Sequence, residues 1–436
     1  MRRRMLLRRV SAVAQKAHKK KSYEPAPLGP LSAAAKIKEA QYGAENYHPV
    51  PVVLASGKGA KVWDVDGREY LDFLSAYSAV NQGHCHPKIV AALKAQAETL
   101  TLSSRAFHND RLGEWCEYAT RVFGFERLLP MNTGVEASET SVKLARRWSY
   151  AVKKVPEGTA RVVVANNNFW GRSIGAISAS TDPTSYGGFG PLAPGFDWVP
   201  FGDAQALEDL LERQAERTAC VMLEPIQGEA GVIVPPEGYL AKCRDLCDRY
   251  NVLLTFDEVQ TGLGRTGRLL ACHHDDVKPD ILVLGKALSG GLLPVSAVLA
   301  DSHVMLTIRP GEHGSTYGGN PVACRVAKAA IQTLVEEDMI SNARDRGAEL
   351  EAGLRDLVQR RDVALDTRGR GLLRALVIDP DRVDAWDVCL ALRDNGLITK
   401  PTHNNVIRLA PPLVISSDEI KQALAAFDTA LAYFDD

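Results

Sequence analysis

No stretch of this 436-residue chain stays apolar for the roughly 20 residues a bilayer-crossing helix needs. No helical membrane anchor, and no membrane partner, is expected. The eight cysteines (85, 116, 220, 243, 247, 272, 324 and 389) include no Cys-x-x-Cys spacing. A secreted disulfide framework is thereby set aside, and reduced thiols in a cytosolic or matrix protein are expected. Cys272, His273 and His274 adjoin one another but lack a second ligand pair, so no metal site is expected. There is no internal repeat and no low-complexity linker. A dominant charge is lacking too: 52 basic against 53 acidic residues give a net −1, which does not mark a nucleic-acid-binding protein. One local absence stands out, because no acid precedes Glu24 while residues 1–23 hold nine of the Lys and Arg. An Arg-rich, acid-free start with interspersed apolar residues has the composition of a mitochondrial transit peptide. A basic arm for nucleic acid or anionic lipid, or a tail without a role, has the same composition.

What remains is the make-up of a globular chain, 45% hydrophobic and 24% charged. Residues 24–60 are rich in Pro, Gly and Tyr and read as an irregular arm. "AKVWDVDGREYLDFLS" (60–75) alternates around an Asp-Gly turn, which predicts a β-hairpin, and residues 87–100 follow as a helix. Short apolar runs then recur at 161–167, 220–226, 252–259 and 280–287, with helical patterns such as 238–250 between them. Continuous apolar strands alternating with helices predict an α/β domain with a parallel sheet covered on both faces. After residue 320 come two long helices (321–337 and 340–360), strand-like pieces (371–378 and 405–414) and a last amphipathic helix. The expected organisation is a basic segment 1–35, a large α/β domain 61–320, and a smaller α+β domain built from 36–60 and 321–436.

Polar residues that end such strands point to the carboxyl edge, where α/β proteins bind ligands. Asp257 follows "VLLTF", Glu224 follows "CVML" with Glu229 beyond it, and Lys286 follows "ILVLG". Each alone is an ordinary strand end, and a lysine there commonly snorkels to solvent. Together they set three acids and an amine beside one crevice. "MNTGVEASETS" (131–141) leads a strand into a helix, and free N–H groups at such a start favour an anion, with Gly134 allowing close approach. "GEHGSTYGGNP" (311–321) supplies Ser315 and Thr316 before another helix. A phosphate cradle, a carboxylate and a lysine suggest pyridoxal phosphate (PLP), whose aldehyde needs an unprotonated amine and whose ring nitrogen needs an acid.

In the order of these blocks the chain, from about residue 40 onward, resembles the fold-type I PLP enzymes and, among them, the class-III aminotransferases. "YGAENYHPVPVVL", "YLDFLSAYSAVNQGHCHPKIV", "NTGVEASETSVKLAR", "NNFWGRS", "EPIQGEAGV", "FDEVQTGLGRTG", "GKALSGGLLPVSA" and "GEHGSTYGGNP" are similar to blocks of the ornithine aminotransferases. The resemblance implies a mainly parallel sheet of the seven-stranded type, flanked by helices, and a ping-pong transfer from L-ornithine to 2-oxoglutarate through pyridoxamine phosphate. It implies that Lys286 holds PLP and shuttles a proton, Asp257 pairs with the ring nitrogen, and Val259, Gln260 and Phe169 touch the ring. Gly134, Val135, Ser315 and Thr316 would take the phosphate, Thr316 from a partner subunit of a homodimer, with Glu224 nearby. Tyr47, Tyr77 and Arg172 would receive the far end of ornithine, and Arg408 the carboxylate of the oxo acid, with Glu229 swinging onto and off Arg408. The mitochondrial matrix is the expected location, the cytoplasm the alternative. The turn at Asn404 and Asn405 departs from the family's pattern.

Overall fold

The computed structural model describes residues 20–403 and 405–435. The basic start up to residue 19 and Asn404 therefore lie outside the described residues. Among the described residues fifteen strands fall into three sheets. In chain order they are β1 (Leu54–Lys58), β2 (Lys61–Asp64), β3 (Glu69–Asp72), β4 (Arg127–Met131), β5 (Arg161–Ala165), β6 (Phe196–Val199), β7 (Thr218–Leu223) and β8 (Leu253–Asp257), then β9 (Ile281–Leu284), β10 (Ser296–Ala300), β11 (Ala364–Arg370), β12 (Leu373–Ile378), β13 (Leu397–Ile398), β14 (Lys400–Thr402) and β15 (Val406–Leu409). The central sheet runs β4-β10-β9-β8-β7-β5-β6. Only β10 lies antiparallel to its neighbours. The inner strands of this sheet are largely apolar on both sides because both faces are covered. Val162 and Val164 of β5, with Met222 and Ile281, pack under the helix Gly134–Trp148. Their alternates Val163, Val221 and Leu254 pack against Leu240, Cys243 and Leu246 of the helix Tyr239–Arg249.

The expected hairpin is present, with β2 and β3 antiparallel, and it joins β1 on one side and β13 on the other. That sheet crosses residue 60. We propose that the N-terminal part of the smaller unit runs through β3 rather than stopping at residue 60. The C-terminal sheet β11-β12-β15-β14 is antiparallel throughout and packs on the long helix Met339–Arg360. Residues 24–60 are not irregular as expected: they contain the helix Pro30–Tyr42 as well as β1. Proline occupies its first turn, where a missing N–H costs nothing. Its N-cap, Gly29, has no side chain, and the carboxylate of Asp66 caps it instead, accepting from the N–H groups of Leu31 and Ser32 at 3.0 Å. Its composition hid it, because Leu31, Ile37 and Tyr42 are exposed and no apolar stripe marks a buried face. Among the described residues no helix is long and apolar enough to cross a membrane.

Candidate active site

The carboxyl ends of β4, β5, β7, β8 and β9 lie at one edge of the central sheet, and the sequence-predicted acids and lysine meet there. β9 ends at Leu284, three residues earlier than the apolar run suggested, and Lys286 opens a short 3₁₀ turn, Lys286–Ser289. The backbone of Lys286 is left-handed, with φ +44°. Such conformations cost of order 1–3 kcal/mol at a non-glycine residue and persist only where the surroundings impose them. Here the turn is tied down from outside: the Gln82 amide donates to the Ala287 carbonyl at 3.0 Å. The side chain is half-buried, and that burial holds its pKa below the usual lysine value against the nearby charge of Glu229. Among the described residues it has no hydrogen-bonded or ion-paired partner, and it faces two adjoining cavities of about 340 and 250 Å³ that share Gly134.

Asp257, the last residue of β8, borders the smaller cavity. Its carboxylate accepts from the Val259 N–H at 3.0 Å and from the Ser138 hydroxyl at 3.1 Å. Burial raises its pKa, opposed by those two hydrogen bonds and by Lys286. Sequence reasoning missed Ser138. The signal was available, since Ser138 lies four residues after Gly134 and so on the same helix face. Glu224, one residue past β7, accepts from the N–H groups of Phe169 (3.2 Å) and Gly228 (3.3 Å). Burial, with the Asp257 and Glu229 charges added, pushes its carboxyl up to about 8.

The helix Gly134–Trp148 starts in a complete capping box. The Thr133 hydroxyl accepts from the Glu136 N–H at 3.3 Å, while the Glu136 carboxylate accepts from the N–H groups of Asn132 (3.0 Å) and Thr133 (2.8 Å). The Ala137 N–H goes to the Thr133 carbonyl. Of the orphan donors of the first turn, only the N–H groups of Gly134 and Val135 are left without a partner, and both residues line the smaller cavity. Val259 fixes how close the walls come: a Cβ on Gly134 would sit 3.0 Å from Val259 Cγ1.

Arg408 of β15, 3% exposed, donates at 2.6 Å to the carboxylate of Glu229, which lines the smaller cavity. Gln260 joins them, donating to Glu229 at 3.2 Å and accepting from Arg408 at 3.3 Å. Burial pushes the Glu229 carboxyl up, but Arg408 and Lys286 outweigh that and hold it below the usual carboxylate range. The Tyr77 ring covers the Arg408 guanidinium at 4.9 Å, and Arg172 lies 5.6 Å from the Phe169 ring. Tyr47 is largely exposed beside Lys400. Ser315 accepts from the Asn132 amide at 2.8 Å, next to the helix start. Thr316 is not brought to this site: it is exposed and lines neither cavity.

The fold and this edge of the sheet define a class. The aminotransferase class-III family matches residues 42–431, and the chain belongs to that family. It is therefore a transaminase. It is 58% identical to the mitochondrial ornithine aminotransferase of Rattus norvegicus over 398 residues, which is 91% of this chain and 90% of that one. Among solved structures it is similar to the ornithine aminotransferase of Toxoplasma gondii, which showed partial occupancy of PLP at its active site. There the TM-score is 0.91 and the identity 47%, with 92% of this chain and 94% of that one covered. It is also similar to acetylornithine aminotransferase from Elizabethkingia anophelis, with a TM-score of 0.85, 49% identity and coverage of 92% and 99%.

Proposed function

We propose that the chain transfers the δ-amino group of L-ornithine to 2-oxoglutarate, giving glutamate 5-semialdehyde and glutamate, with PLP as its cofactor. The observation that carries this reading is the unpartnered, half-buried amine of Lys286, which lines one cavity with Asp257 and a helix start with two free N–H groups. Those groups fit PLP: an amine for the aldehyde, an acid for the ring nitrogen, and donors for the phosphate. When bound, PLP supplies an aldehyde that takes up an amino group and a ring that withdraws electrons from the carbon beside it.

The chain's own groups do the rest. Lys286, whose pKa burial lowers, carries the proton that must leave the carbon bearing the transferred amine. Asp257, oriented by Ser138 and the Val259 N–H, keeps the ring nitrogen protonated. The N–H groups of Gly134 and Val135 would hold the phosphate, and Phe169, Val259 and Gln260 would touch the ring. Glu224 ties the loop of Phe169 to the loop of Glu229 through its two backbone hydrogen bonds. With Glu229 neutralising Arg408, the pocket accepts a substrate whose reacting end has no carboxylate, as at the δ-carbon of ornithine. Once Glu229 parts from it, Arg408 is free to grip the α-carboxylate of 2-oxoglutarate. Tyr47, Tyr77 and Arg172 receive the α-amino and carboxylate groups of ornithine. Exposed Thr316 reaches the phosphate cradle of a second copy beside Ser315, making the working unit a homodimer. The matrix of the mitochondrion is the proposed location, supported by the naming of the rat relative and by the basic first 23 residues.

A donor panel tests the reading. Ornithine should outrun N-acetylornithine and 4-aminobutyrate with 2-oxoglutarate as acceptor. A preference for N-acetylornithine would assign the chain to the activity of the Elizabethkingia relative instead. PLP added to the wild type should produce a visible absorbance band that Lys286→Ala lacks. A wild-type protein without that band would defeat the enzyme reading.

A further inference from the structure

Residues Ser75, Ala76, Tyr77 and Ser78 are all left-handed, with φ of +49°, +47°, +62° and +69°. That is a full turn of left-handed helix made without glycine, a conformation in which each Cβ crowds the following carbonyl. The buried hydroxyls of Ser75 and Ser78 do not hold it, for neither has a hydrogen-bond partner among the described residues. Asp72 does. Its Oδ1 accepts from the N–H groups of Leu74 and Ser75, both at 2.8 Å, and so caps the turn. Its Oδ2 lies 2.7 Å from Nε2 of His84. Asp72 is buried, and His84 is pinned by reciprocal backbone hydrogen bonds to Gly59. The outcome of this arrangement is the placement of the Tyr77 ring over Arg408.

We infer that Asp72, braced by His84, is a positioning residue for Tyr77 and through it sets the enzyme's preference for a donor that carries an α-amine. The inference rests on the ornithine reading above. The informative comparison is with 5-aminopentanoate, which is ornithine without that amine. Asp72→Ala should lower the ratio of kcat/KM for ornithine to that for 5-aminopentanoate on the order of fivefold, one hydrogen bond's worth. Asp72→Asn keeps the Oδ1 cap and should restore most of the ratio. Tyr77→Ile should lower the ratio as well, and the double variant should be no worse than Tyr77→Ile alone, because both changes act through one ring. Should Asp72→Ala not fold, His84→Ala replaces it in the same cycle, with a smaller loss in the same direction. An unchanged ratio, or losses that multiply in the double variant, overturns the positioning role. A wild type without ornithine activity overturns the substrate reading and this inference together.

Discussion

Gly228 determines where Gln260 sits. A Cβ added there would lie 1.5 Å from Gln260 Oε1 and 2.5 Å from its Cδ. The collision is with the far end of a flexible side chain, so in Gly228→Ala the amide swings away while the backbone stays. Two hydrogen bonds to charged partners are lost, at 3.2 Å to Glu229 and 3.3 Å from Arg408. Both are long, so their joint contribution is taken at the low end for charged hydrogen bonds, about 1.5 kcal/mol, or roughly tenfold. The loss should be one-sided. Without the amide, Glu229 and Arg408, already 2.6 Å apart, lose the group that shares hydrogen bonds with both, and separating them costs more when an oxo acid must bind. KM for 2-oxoglutarate should therefore rise roughly tenfold while KM for ornithine moves within about twofold. Stopped-flow traces of the two half-reactions measure these separately. Gln260→Ala combined with Gly228→Ala should add nothing further. An equal effect on both substrates, or none on 2-oxoglutarate, would refute the view that Gln260 keeps the ion pair separable.

Two further outcomes concern stability. An ordinary glutamate ionises near 4.5, whereas Glu224 keeps its proton to about 8 because burial, then Asp257 and Glu229, oppose its charge. Between those values the unfolded chain has lost a proton that the folded chain retains, so folded stability falls as pH rises through that window and levels off above it. Glu224→Gln also loses one acceptor, a constant offset; its melting temperature relative to wild type should climb from pH 5 to pH 8, and a flat difference would count against the burial account. Ala76→Gly, at an exposed left-handed position, should raise the melting temperature by about 1 °C, since glycine escapes the left-handed penalty but loses more chain entropy. A lower melting temperature would mean the turn is not strained there.

How much of this the residues alone disclose depends on how local the cause is. Strands β5, β7, β8 and β9 of the central sheet were legible because burial on both faces leaves uninterrupted apolar runs, as in "ILVL" and "CVML", whereas β6 and β10 were not read. The β2–β3 hairpin was legible from Asp66-Gly67. Asp257, Glu224 and Lys286 could be placed together because parallel strands deliver their ends to one edge. The helix Pro30–Tyr42 was not legible, because its cap comes from Asp66. The left-handed turn at 75–78 was invisible, for neither glycine nor asparagine marks it and its cause lies at Asp72 and His84. Nor could spacing show that Gln260 would bond Glu229 and Arg408, residues of a loop and a strand 31 positions before and 148 after it.

The sheet formed by β1, β2, β3 and β13 has a consequence for synthesis. β3 finds its outer neighbour only when Leu397 pairs with Leu71 and Ile398 with Asp72. At roughly 5–20 residues per second, the ribosome needs about 16–65 s to make the intervening chain. Throughout that time the outer edge of β3, with the buried Leu71 and Phe73 beside it, has no strand to cover it. An unpaired apolar edge is a template for association with other chains. The nascent protein is thus exposed to aggregation longest at the segment leading into the Tyr77 turn, and a holdase that shields residues 69–78 should improve its yield more than one acting on the finished chain.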